Sequence, residues 1–245
     1  MGHGGTTHPD IVAAGCAALR RPVEQTAHPA ATGQHARWGG VEVPRHRALL
    51  LDFCGVLTTD LFAAYGRFCE EQGLPRSALH DLLTQDAEGH ALLVELERGL
   101  LGQKEFERAV AARLGIDGSR LVEKVMRHLR PERVLLRLAE QARRSGIRTG
   151  VLSNSLGTAP YDPYALWHLR DRFDVVVLSG ETRMRKPDPE IFAFALSQLN
   201  VPPGACVFVD DMAPNVEVAQ ALGMTTVHHT DSEATAAQLR DLLAL

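Results

Sequence analysis

Four short polar clusters in this chain carry residue types that could act together on an oxyanion. Asp52 heads the run Asp52-Phe53-Cys54-Gly55-Val56, and Ser153-Asn154-Ser155 follows a second apolar stretch. Arg185-Lys186-Pro187-Asp188-Pro189 and the pair Asp210-Asp211 complete the set. A carboxylate can attack phosphorus or carbon and form a covalent intermediate. Its approach to an anionic phosphate is opposed by charge, so the repulsion must be screened. Asp52 with Asp211 offers hard oxygen ligands for Mg2+. Lys186 adds a fixed positive charge, while Ser153 and Asn154 supply hydrogen-bond donors for the remaining oxygens. Taken singly, each cluster has a plainer reading, because an Asp or Ser at a strand end is usually a helix cap or turn residue. The chemistry requires all four to meet.

The elements that would bring them together are legible as alternating strands and helices. Ala48–Leu51, Ile147–Leu152, Asp174–Leu178, Cys206–Val209 and Thr225–Val227 are short apolar runs without alternation. Such runs suit strands buried on both faces, as in a parallel sheet covered by helices. Pro131 stands at the expected first position of a helix whose stripe is Val134, Leu138 and Ala142 and which Gly146 closes. Asp188-Pro189 starts another, with Asp188 as the expected cap. Pro214 to Leu222 is a third, stopped by Gly223. This pattern predicts a doubly wound α/β sheet with the clusters at the C-terminal strand ends. Between about Thr59 and Arg130 only helical patterns occur, such as Leu61, Ala64, Phe68 and Phe106, Val110, Leu114. An all-helical insert directly after the first apolar strand is positioned to roof the site.

These motifs together resemble the haloacid dehalogenase (HAD) superfamily, in the branch with a helical cap after its first motif. LLLDFCGVLTTD is similar to motif I, VLSNS to motif II, MRKPDPEIF to motif III and VFVDDMAPNVEVAQALGM to motif IV. LERGLLGQKEF is similar to a recurrent helix–turn–helix of that branch's cap. The resemblance covers about residues 47–228. It implies Asp52 as nucleophile, with Ser153, Asn154 and Lys186 holding phosphate. It further implies Asp211 and the backbone carbonyl of Cys54 as metal ligands beside Asp52, with Asp210 in support. The implied organisation is an α/β core over 45–58 and 131–245, a helical cap over 59–130, and a flexible or loosely docked tail over 1–44.

Cys54 departs from that pattern. Family phosphatases usually carry there a second Asp, which protonates the leaving oxygen and then activates water. A thiol with an ordinary pKa near ~8.5 is a poorer acid, and lost acid–base help typically costs ~10²–10⁴-fold. Three readings remain open. The chain is a Mg2+-dependent phosphatase for a small phosphorylated metabolite with a good leaving group, such as an anomeric, aryl or acyl phosphate. Alternatively it is a dehalogenase-type enzyme, although Asp210-Asp211 is then unexpected. Or it is a module that binds a phosphorylated ligand without turnover.

Composition narrows the partners. The 245 residues carry a net charge of -4 and no apolar run long enough for a bilayer, so neither nucleic acid nor membrane is an expected partner. The arginines from Arg127 to Arg144 lack interleaved aromatics and read as a solvated helix face. The four scattered cysteines, Cys16, Cys54, Cys69 and Cys206, read as reduced thiols of a cytoplasmic protein. A small buried Cys54 is a simpler expectation than a redox-sensitive one. Monomer and homodimer are equally compatible with the sequence. His3, His8, His28, His35 and His46, and separately His228-His229, are weak candidates for metal ligands, lacking regular spacing.

Overall fold

The computed structural model describes residues 35–38, 41–44 and 46–245. Two short antiparallel strands, β1 (His35–Trp38) and β2 (Val41–Pro44), lie inside the segment read as a tail. His3, His8 and His28 lie outside the described residues. His46 is buried: its Nδ1 donates to the Leu242 carbonyl and its Nε2 meets the Thr225 hydroxyl, both at 2.9 Å.

Five parallel strands form the central sheet. In chain order they are β3 (Ala48–Leu51), β4 (Arg148–Ser153), β5 (Val175–Leu178), β6 (Cys206–Asp210) and β7 (Thr225–His228). Their spatial order is β5-β4-β3-β6-β7, so β3 lies at the centre. Leu49, Leu51, Val207 and Val209 belong to one core cluster, and Ala48, Leu50, Cys206 and Phe208 to another. Successive side chains thus enter opposite hydrophobic layers, which is why β3 and β6 are uninterrupted in apolar character.

Six helices separate β3 from β4: α1 (Leu61–Glu71), α2 (Ala78–Thr84), α3 (Ala87–Glu97), α4 (Gln103–Leu114), α5 (Leu121–Met126) and α6 (Arg133–Arg144). The first five form the insert. Asp60 caps α1, accepting from the N–H groups of Phe62 at 2.8 Å and Ala63 at 3.3 Å. Phe68, Leu83, Phe106, Val110 and Val125 pack the insert internally. Its two connections run side by side: Thr59 N–H donates to Arg130 O at 2.8 Å and Glu132 N–H to Leu57 O at 3.0 Å. Pro131 bridges Thr58 in this crossing, and α6 starts after it, so Pro131 does not open the helix as its sequence position suggests.

The remaining helices are α7 (Leu169–Arg172), α8 (Ser179–Thr182), α9 (Pro189–Leu199), α10 (Ala213–Ala221) and α11 (Ser232–Leu243). Helix α9 starts at Pro189, but Asp188 makes no side-chain cap; its carboxylate instead meets Arg98 at 2.8 Å, just past α3. An ion pair to the insert has taken the place of a local bond. Among the described residues, no helix is long and apolar enough to cross a membrane. Arg127, Arg143 and Arg144 of the basic stretch pair with Glu71, Asp174 and Glu140.

Phe192 of α9 is fully buried and meets Phe208 of β6 edge-on, with ring centroids 5.4 Å apart. Phe192→Ala is expected to cost about 3–5 kcal/mol through lost burial and the resulting cavity. Urea denaturation of the two proteins measures this, and a loss below about 1 kcal/mol would contradict the assigned packing.

Candidate active site

Register places the polar clusters on one edge. Leu51 pairs with Val209 on one side and Val151 on the other, so Asp52 emerges beside Asp210, with Ser153 two positions beyond Val151. The ladder continues through Asp52, whose N–H donates to Val209 O at 2.9 Å. All three residues lie at the C-terminal ends of β3, β4 and β6, where open α/β sheets form their binding crevice.

A buried ammonium joins two of the carboxylates. Lys186 Nζ lies 2.7 Å from Asp52 Oδ1 and 2.6 Å from Asp210 Oδ2, and its side chain is only 1% exposed. Burial pulls the Lys186 ammonium down, but Asp210 and then Asp52 more than offset this, leaving its pKa above the ordinary lysine value. Asn154 fixes the lysine's backbone from both sides. Its Oδ1 accepts from Lys186 N–H at 2.8 Å, and its Nδ2 donates to Lys186 O at 3.0 Å. The Asn154 side chain is therefore spent on positioning Lys186, which spacing alone does not reveal.

Asp210 is equally committed. Its Oδ1 accepts from Met212 N–H at 2.8 Å and Asn215 Nδ2 at 2.9 Å, while its Oδ2 faces Lys186. On Asp52, Phe53 N–H and Lys186 both approach Oδ1, at 2.7 Å each. Carboxylate oxygens of Asp52, Asp210 and Asp211 all lie within 4.8 Å of one another. Burial first, then Asp210 and Asp211, outweigh Lys186 and push the Asp52 carboxyl from 3.8 up to about 7. Asp211 is raised to about 6, by burial and then Asp210. Three close carboxylates facing one ammonium make a hard-oxygen donor set with excess negative charge, which fits a divalent cation.

Gly55 is required by two constraints. Its φ of 83° lies in the left-handed region, and a Cβ there would collide with the Asp211 carboxylate. Cys54, one residue earlier, lines the cavity beside Asp52. Burial, then the charges of Asp52 and Asp211, raise its thiol well above the ordinary cysteine value. Such a thiol stays protonated and is neither a ready acid nor a reactive nucleophile.

The cavity over these groups has a volume of about 310 Å³. Several of its parts carry no clear mark in the sequence. Glu97, at the end of α3, receives Arg185 Nε at 2.7 Å and lies 3.4 Å from Asn154 Nδ2. Tyr164 packs against Phe53 with its ring tilted, and brings its hydroxyl within 3.4 Å of the Ser153 Oγ. The nearest signal for Glu97 is its place in the LERGLLGQKEF segment. His228 donates to the Asp211 carbonyl at 2.9 Å, and His229 is buried against Thr235. Neither imidazole belongs to the three-carboxylate group.

The raised Asp52 pKa fixes a pH dependence for the metal-free protein. Between about 4 and about 7 the folded state holds a proton that the unfolded state has released, so stability falls as pH rises. Asp52→Asn removes that titration. Wild-type stability relative to this variant, from denaturant midpoints without divalent cation, is expected to decline across the window; a flat or rising difference would contradict it.

A family model for haloacid dehalogenase-like hydrolases matches residues 46–223. Sesquiterpene phosphatase astK of Aspergillus oryzae is 29% identical over 152 residues, covering 61% of this chain and 78% of that protein. The phosphorylated carbohydrates phosphatase of Thermotoga maritima is 26% identical over 185 residues, covering 74% and 83%. Bifunctional epoxide hydrolase 2 of Sus scrofa is 24% identical over 210 residues, but the match spans only 38% of that protein. Among solved structures, a HAD family enzyme from Bacteroides thetaiotaomicron, in complex with magnesium and inorganic phosphate, superposes with a TM-score of 0.60. The match has 24% identity and covers 76% of this chain and 94% of that one; it is a likeness of fold. The chain belongs to the haloacid dehalogenase-like hydrolase family.

Proposed function

We propose that this hydrolase is a Mg2+-dependent phosphatase that removes phosphate from a small phosphorylated metabolite through an aspartyl-phosphate on Asp52. The observation that carries the reading is the Lys186 ammonium between Asp52 and Asp210, with Asp211 alongside, under one cavity. The relatives named above as phosphatases support it. Asp52, Asp211 and the Cys54 carbonyl would hold Mg2+, with Asp210 supporting from behind. Bound there, the ion supplies positive charge that screens the phosphate from the carboxylates.

The chain's own groups then have defined tasks. Lys186 neutralises part of the charge at Asp52 and keeps its Oδ1 fixed. The Ser153 hydroxyl and the Asn154 backbone orient phosphate oxygens, since the Asn154 amide is committed to Lys186. An Asp52 oxygen bonds to phosphorus as the ester P–O bond breaks and the leaving oxygen departs with the bonding electrons. Water then attacks phosphorus, returning Asp52 as a carboxylate and releasing inorganic phosphate. The five-helix insert acts as the cap that excludes bulk water. Cys54 gives little proton help at either stage, which favours esters whose leaving oxygen is already acidic.

Phosphate release from a panel of aryl, acyl and anomeric phosphates tests the assignment. Asp52→Asn is expected to lower Mg2+-dependent release by at least about 10³-fold. Cys54→Asp is expected to raise the rate on esters with poor leaving groups by about 10²-fold or more. The raised thiol favours one second reading, a phosphate-binding module without turnover. Saturable Mg2+-dependent binding of inorganic phosphate with no ester turned over would select that reading instead.

A further inference from the structure

The cavity wall opposite the carboxylates differs in character from the catalytic edge. Leu61, Phe62, Tyr65, Leu83, Leu93 and Met126 line it from the insert. Leu156 and Met212 extend the apolar surface from the core side. Among the described residues, four large hydrophobic side chains are exposed, and two of them, Phe62 at 38% and Met212 at 41%, border this cavity. Apolar surface concentrated on a concave site, with few polar groups converging at one end, is the usual form of a small-ligand pocket.

Most polar groups on that side already have partners, the Tyr65 hydroxyl being an exception. The Asp60 carboxylate caps α1. The Thr84 hydroxyl donates to His80 O at 2.8 Å, and His90 Nδ1 donates to Leu83 O at 3.1 Å. Glu97 is engaged by Arg185, and Asn215 by Asp210. A hydroxyl-rich ligand would therefore give up water with few fixed groups to replace it, and an unpaired buried hydroxyl is costly. Charge points the same way. The lining holds two cationic side chains, Lys186 and Arg185, against four carboxylates, Asp52, Asp60, Glu97 and Asp211. Both cations are already ion-paired. A second phosphate or a carboxylate on the ligand would find no available countercharge.

We infer that the substrate is a phosphate monoester whose remaining part is uncharged and apolar, lying against Phe62, Leu93 and Met126 with its phosphate at Asp52. The inference rests on the phosphatase reading and narrows it. It separates this site from the use of sugar phosphates, nucleotides or phosphorylated acids.

Aryl phosphates provide the test, because a para-alkyl chain lengthens the body while leaving the acidity of the departing phenol nearly constant. Turnover and isothermal-titration binding, both with Mg2+, are measured for phenyl, 4-ethylphenyl and 4-hexylphenyl phosphate and for glucose 1-phosphate. kcat/KM is expected to rise by up to about fourfold for each methylene that becomes buried. Glucose 1-phosphate is expected to fall at least about tenfold below phenyl phosphate. Phe62→Asn should lower kcat/KM for the hexyl compound by about tenfold and for phenyl phosphate by much less, with Phe62→Leu restoring most of the difference. Phe62 is partly exposed near the start of α1, so folding is little disturbed. Turnover indifferent to chain length, or favouring the sugar phosphate, would overturn the substrate class and leave the phosphatase reading standing. No turnover of any ester would overturn the phosphatase reading; binding that tightens with chain length would still support the ligand class, and binding that does not would end it.

Discussion

A lysine ammonium stripped of water and held between two carboxylates sets the terms for everything around it. Burying such a charge costs several kcal/mol unless its partners are close and themselves fixed. Here the fixing is extensive. Asp210 is tied to the first turn of α10 by Met212 and Asn215, Lys186 is clamped through its backbone by Asn154, and Asp52 continues the β3 ladder. Three strand ends and the loop before α9 are therefore joined through a single lysine, two by its ammonium and one by its backbone. Asp211 beside them adds a third carboxylate to a single ammonium, an excess of negative charge that fits a divalent cation.

Cys54 changes the chemistry without disturbing this frame. The local backbone is dictated by its neighbours: Gly55 must remain without a side chain to admit Asp211, and Thr59 N–H is held by Arg130 in the connection to the insert. A carbonyl at position 54 is provided whatever its side chain. The buried thiol keeps its proton beside Asp52 and Asp211. In the proposed phosphatase, the groups that would hold an ion and an oxyanion stay in place, and proton transfer would fall to the ligand and solvent.

The parts of this arrangement that depend on local pattern were readable in the sequence. Both faces of β3 and β6 are covered, and their unbroken apolar runs say so directly; Gly146 and Gly223, with φ of 85° and 88°, follow α6 and α10 where glycine commonly ends helices. Asp52, Ser153 and Asp211 stand at or next to strand ends and Lys186 in the loop before α9, positions that the local pattern marks. Long-range partners carry no such mark. Asp188 looked like a cap but pairs with Arg98, ninety positions away in the chain. Glu97 and Tyr164 reach the site from separate segments whose local sequence carries no catalytic signature. The hold of the Asn154 amide on the Lys186 backbone carries no local signal either. Each depends on a contact that only the assembled core creates.

The two connections to the insert run alongside each other, with Thr59 against Arg130 and Leu57 against Glu132. Five helices therefore leave and rejoin the sheet through nearly one point, like a bead hung on a closed loop of thread. Any segment whose ends approach that closely can be fitted there without moving β3 or β4. The apolar wall of the cavity and its carboxylate edge thus come largely from different stretches of chain, stitched together where Glu97 and Arg98 of the insert meet Arg185 and Asp188 of the core.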